Sequence, residues 1–196
     1  MLGDSGGEAM AAIREKSGGR SESRWRISGW SGAALILLHP LVAMRFTDEV
    51  NWGAADFLFM GALLGAVGLG LELVVRGTHN GAYRVAAGVA LALAFLLVWI
   101  NAAVGIIGSQ NEPANRLFGG VLAVAFLGAI AARFRPAGLA RAMAATALAQ
   151  SSVPLIASAF GLGPAPLLWS IKVLALTGVF AAMWLLSAWL FRRAAA

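Results

Sequence analysis

The chain has 196 residues, of which 60% are hydrophobic and only 12% charged, with a net charge of +6 and a mean hydropathy of +0.79. A water-facing surface normally draws on about a quarter charged residues, roughly twice what is present, so a soluble globular domain is excluded and lipid must replace much of the water. Cysteine is absent, which excludes disulfides, thiolate metal sites and thiol catalysis.

The first 26 residues, MLGDSGGEAMAAIREKSGGRSESRWR, mix Gly, Ser and both charge signs, and lack the apolar stretch and cleavage pattern of a secretory signal. They read as a flexible cytoplasmic tail. Residues 27–193 read as one transmembrane domain. A helix needs about 20 apolar residues to cross the hydrocarbon, and six such runs follow, at 27–46, 53–76, 82–108, 115–134, 137–160 and 165–191. The breaks between them, FTDEVNW, RGTHNGAY, SQNEPAN, RFRPAG and GLGPAP, carry turn residues and charges. Links this short make consecutive helices antiparallel neighbours.

Orientation follows from the loops, because Lys and Arg stay on the cytoplasmic side. Twelve basic residues fall on one side (in the tail, at Arg76, Arg84, Arg133, Arg135, Arg141, Arg192 and Arg193), against Arg45 and Arg116 on the other. The expected fold is therefore all-α: a polytopic membrane helix bundle with six transmembrane helices, N-in and C-in. Trp25, Trp30, Trp184 and Trp189 are expected near the inner interface, and Trp52, Trp99 and Trp169 near the outer one. With the basic residues placed between apolar runs, the positive charge marks topology and does not indicate nucleic acid.

In the second run Gly61, Gly65, Gly68 and Glu72 share one helix face. Such a stripe admits a close neighbour, either within the chain, in a second copy or in a membrane partner. Glu72 is expected to snorkel or to pair with Arg76 or Arg84. In the third run Asn101, Gly105 and Gly108 are expected to form a second packing stripe.

Ionisable and polar groups at membrane depth are costly, and each is a candidate for function. His39, Asp56, Asn101, Gln150 (with Ser151 and Ser152) and Lys172 all fall between mid-membrane and the outer surface. A polar cavity open to the outside would use such a set. Lys172 is expected about two turns inside the sixth helix, wanting an anion such as Asp56, Asp48, Glu49 or Glu112. Each residue also has a structural reading. Lys172 can snorkel or form an ion pair, Asp56 can sit at a positive helix end, and His39 can bond locally at the Pro40 kink.

No metal site or cofactor is expected. His79, the second of two histidines, falls on the opposite side of the membrane from His39, which excludes bis-histidine haem. There is no phosphate loop, nucleophile elbow or zinc-protease helix, and no enzyme is indicated.

Two stretches, FTDEVNWGAADFLFMGALL (46–64) and YRVAAGVALALAFLLVWINAAVGIIGSQNEPANRLFGGVLAVAFLGAIAARFRP (83–136), resemble a family of small uncharacterised bacterial multi-span inner-membrane proteins. The likeness extends over most of residues 40–193. NEPAN stands where the family reads closer to DNPAN, moving the acidic position to Glu112. The resemblance implies a bacterial inner-membrane location and brings no activity with it. Two functions follow: transport of a small solute, ion or proton through an outer-half polar cavity, or a non-catalytic accessory role packing with a partner or a second copy.

Overall fold

The computed structural model describes residues 27, 29–47, 50–164 and 170–196; the expected N-terminal tail, Asp48, Glu49 and Trp169 lie outside the described residues. All regular structure among these residues is helical. The six helices are α1 (Gly29–Ala43), α2 (Ala54–Gly77), α3 (Gly81–Ala103), α4 (Leu117–Ala131), α5 (Pro136–Ala159) and α6 (Ile171–Ala195), with a 3-10 turn over Pro113–Arg116 leading into α4. The 3-10 turn and α4 together form one apolar span of 19 residues, Pro113–Ala131, and with α2, α3, α5 and α6 make five helices long and apolar enough to cross a membrane. The shorter α1 is described over Gly29–Ala43 only. Its chain turns over Met44–Phe46, where the amides of Arg45, Phe46 and Thr47 bond back to Val42 and Ala43.

The chain divides into two compact units, Met1–Glu72 and Leu73–Ala196. In the first, α2 starts with Asp56 in its opening turn, the carboxylate accepting from the Gly53 amide at 2.8 Å. A carboxylate there satisfies a free amide and complements the positive helix end. The glycine stripe of α2 receives α1. A Cβ at Gly68 would come within 3.0 Å of the Trp30 ring and one at Gly61 within 3.8 Å of Leu37, while one at Gly65 would meet nothing within 4 Å. Trp30 is therefore a packing residue as much as an interfacial one.

In the second unit α5 packs along α6, α6 along α3, and α4 on α5. The approach of α4 to α5 depends on missing side chains. A Cβ at Gly128 would lie 2.8 Å from the Cβ of Ala142, and one at Gly138 would lie 2.7 Å from that of Ala132. The core gathers Leu97, Ile107, Phe118, Val121, Val153, Phe180 and Trp184. Trp184 is 1% exposed, so it belongs to the core, contrary to the expectation of an interfacial ring. Its position on α6 is in phase with the buried Val173, Thr177, Phe180, Ser187 and Phe191, which explains the burial. Outside the core the pattern of a soluble protein is inverted, with Phe126 at 66% and Leu148 at 74% exposure. Large apolar side chains presented this way need lipid contact.

Two helix boundaries depart from expectation. α3 ends at Ala103, five residues before the expected 108, because Gly105 and Gly108 take φ of +74° and +65°. That left-handed backbone leaves a helix and favours glycine, so Gly105 and Gly108 do not continue a helical stripe with Asn101. α6 begins at Ile171, placing Lys172 in its first turn; residues 165–169, where the sixth run was expected to open, lie outside the described residues.

Candidate functional site

The loop leaving α3 closes on one side chain. Asn115, 9% exposed at the start of α4, accepts from the amides of Ile106 (3.1 Å) and Ile107 (2.9 Å) through Oδ1. Its Nδ2 donates to the carbonyls of Ile107 (3.0 Å) and Ser109 (2.7 Å). An asparagine amide has two donor hydrogens and an oxygen with two acceptor sites, and all are used. Gly105 makes this wrapping possible, since a Cβ there would lie 2.5 Å from the Ser109 oxygen and 2.7 Å from Asn115 Nδ2. With its amide nitrogen turned inward, Gln110 donates to Ala102 and Ala103, satisfying carbonyls at the end of α3.

Beside this knot lies a cavity of about 440 Å³, lined by Leu97, Val98, Asn101 and Ala102 of α3, Gln110, Asn111 and Glu112 of the loop, Asn115 and Arg116 of the 3-10 turn, and Phe118, Gly119 and Leu122 of α4. Asn101 Nδ2 donates back to the Leu97 carbonyl at 2.7 Å, one turn earlier. Its Oδ1 is buried without a partner. An amide oxygen withdrawn from water and left unbonded costs on the order of 1–3 kcal/mol. The cavity thus combines apolar helix walls with an asparagine amide, a carboxylate and a guanidinium among its lining residues. That set suits a small polar solute carrying a donor and both charge signs.

Asn101 alone of the five sequence candidates lines this cavity. Gln150 is 0% exposed in α5, and neither Oε1 nor Nε2 has a partner. Ser151 and Ser152 bond back to the Ala147 and Ala149 carbonyls at 2.9 and 2.8 Å, leaving Gln150 as the unmet group of that trio. Pro154, one turn on inside α5, has no N–H for the Gln150 carbonyl. Lys172 is exposed in the first turn of α6. His39 and Asp56 belong to the first unit, His39 exposed on α1 and Asp56 exposed with its carboxylate spent on Gly53. Among the described residues no three His, Cys, Asp or Glu side chains gather as metal ligands.

Sequence reasoning missed Asn115, Gln110 and Arg116 as a constellation. The available signal was the pair of glycines three residues apart, followed by a proline and a polar amide, which marks a folded loop better than a helix end.

Five apolar helices of spanning length, with large apolar side chains facing outward, define a multi-pass membrane protein with a polar cavity at one end of its second unit. Compared with protein-family models, curated proteins and solved structures, the chain matches none.

Proposed function

We propose that the chain is a bacterial inner-membrane carrier, N-in and C-in, that binds a small polar solute in the cavity between α3, the 104–112 loop and α4. The observation that carries this reading is the buried, unpartnered Oδ1 of Asn101, a residue that lines the cavity. Glu112 and Arg116 add opposite charges, so a zwitterion of amino-acid size is the favoured solute and a lone ion or proton the lesser one. The loop charge count supports the orientation, and the resemblance of residues 46–64 and 83–136 supports the bacterial membrane. A carrier must expose its site to each side in turn, which weakened helices assist; Pro154 removes one backbone hydrogen bond from the continuous helix α5.

The test is uptake of labelled zwitterionic amino acids into proteoliposomes, with empty liposomes as the baseline. Uptake above baseline, reduced about tenfold by Asn101→Ala, supports the reading; a tenfold loss is about 1.4 kcal/mol, within the worth of one buried hydrogen bond. Uptake equal to that of empty liposomes for amino acids, sodium and protons alike sinks it.

The accessory role rests on a separate observation. Of the stripe Gly61, Gly65 and Gly68, the outer two face Leu37 and Trp30 of α1, while a Cβ placed at Gly65 meets nothing within 4 Å, which leaves that level open to a side chain of a partner or of a second copy. Gly65→Leu would then abolish association of the chain while leaving solute uptake untouched.

A further inference from the structure

At the end of the second unit where α3 begins, one tyrosine ties three segments together. The Tyr83 hydroxyl donates to the Phe134 carbonyl at 2.9 Å in the α4–α5 turn, and its ring meets Phe191 of α6 edge-on at 5.2 Å. Asn80 caps α3 by accepting from the Tyr83 amide at 3.1 Å, and reaches the Ala194 carbonyl at 3.3 Å. The consequence is positional. Arg133 and Arg135 flank Phe134, and Arg192 follows Phe191, so the contacts of Tyr83 bring together two chain segments, distant in sequence, that carry exposed arginines.

The charge there is one-sided. From Leu73 to Ala196 the sequence holds a single acidic residue, Glu112, and that lies in the cavity at the opposite end of α3. Arg133, Arg135, Arg192 and Arg193 are all exposed. Arg84 is spent differently, on the carbonyls of Thr78 and Val75 at 2.8 Å each. Exposed rings neighbour these cations: Phe134, between Arg133 and Arg135 in the chain, is 60% exposed, and Trp189, 45% exposed, lies under the Arg193 guanidinium at 3.8 Å. The turn that presents Phe134 is strained, with Arg133 and Phe134 at φ of +49° and +56°, a conformation costly for residues with a Cβ. Tyr83 and the proline opening α5 hold it there.

We propose that this face binds the phosphate of an anionic phospholipid headgroup, Arg133, Arg135 and Arg192 gripping the phosphate while Phe134 and Trp189 sit in the upper acyl region. A bidentate guanidinium suits phosphate oxygens, and Trp and Phe at a helix end suit the headgroup boundary. A soluble phosphate would use the arginines and gain nothing from two exposed aromatic rings.

Native mass spectrometry of the full-length protein in detergent, titrated with phosphatidylglycerol or phosphatidylcholine of identical chains, tests this. Phosphatidylglycerol is expected to be retained about tenfold more strongly, the preference falling to about twofold or less in R133Q/R192Q. The R116Q/K172Q variant, which also loses two positive charges, is expected to keep it. Tyr83→Phe, with charge unchanged, is expected to weaken the preference about threefold by releasing the turn. The proposal is overturned if the native protein shows no preference, if both charge variants lose it equally, if Tyr83→Phe leaves it unchanged, or if 20 mM inorganic phosphate removes it.

Discussion

Asn115 and Gln150 are both amides withdrawn from water, yet their circumstances are opposite. Every hydrogen-bonding position of Asn115 is filled by the loop it organises. Asn115→Ala would strand two amides and two carbonyls, and is expected to destabilise the fold by about 3 kcal/mol, discounted for water reaching part of the freed loop. Thermal unfolding in detergent measures the loss, and amide exchange should rise first over residues 104–112. Gln150 holds an amide at 0% exposure with no partner for either atom. Gln150→Met keeps the shape and removes the uncompensated desolvation, so it is expected to raise stability by about 1–2 kcal/mol. A lower unfolding midpoint would show that the buried amide stabilises the fold. Sequence marked Gln150 as notable because a glutamine among apolar residues stands out. Asn115 escaped notice because an asparagine in a turn is ordinary until the turn's geometry is known.

Among the helices, close approach is governed by the absence of Cβ atoms at particular levels. Gly128→Ala would put a carbon 2.8 Å from the Ala142 Cβ and force α4 away from α5, an overpacking cost of about 1–3 kcal/mol. Ala142→Gly in the same chain should return part of it, so the double variant unfolds above Gly128→Ala; equal midpoints would mean that the two positions do not limit the approach. Gly105→Ala carries a left-handed backbone penalty besides the 2.5 Å clash with Ser109. It is expected to cost about 2 kcal/mol or more, by the same unfolding measurement. Helix existence was legible from apolar run length, and the breaks before α3 and α5 from the turn residues of RGTHNGAY and RFRPAG. The end of α3 was not, because WINAAVGIIGS is apolar enough to continue a helix. It stops because Asn115, twelve positions beyond the last helical residue, offers the loop a full set of hydrogen bonds.

For the molecule as a whole, the lack of cysteine makes orientation directly measurable. With single cysteines placed at Ser109 and at Ala195, the N-in, C-in reading expects a membrane-impermeant maleimide to label the first in intact cells and the second only after permeabilisation. The reverse pattern would invert the orientation and move the cavity to the cytoplasmic side. Composition, run length and turn residues determined by themselves that this is an all-helical multi-pass membrane protein, because the cost of exposing backbone and charge to hydrocarbon constrains every spanning segment locally. Which polar groups share a site is a different kind of fact. Five residues were expected to match in depth along their own helices, but helix rotation, loop folding and the positions of helix ends decided that Asn101, Glu112 and Arg116 line one cavity, that Gln150 is sealed in the core and that Lys172 is exposed. Those quantities depend on packing between segments distant in the chain, which no local pattern encodes.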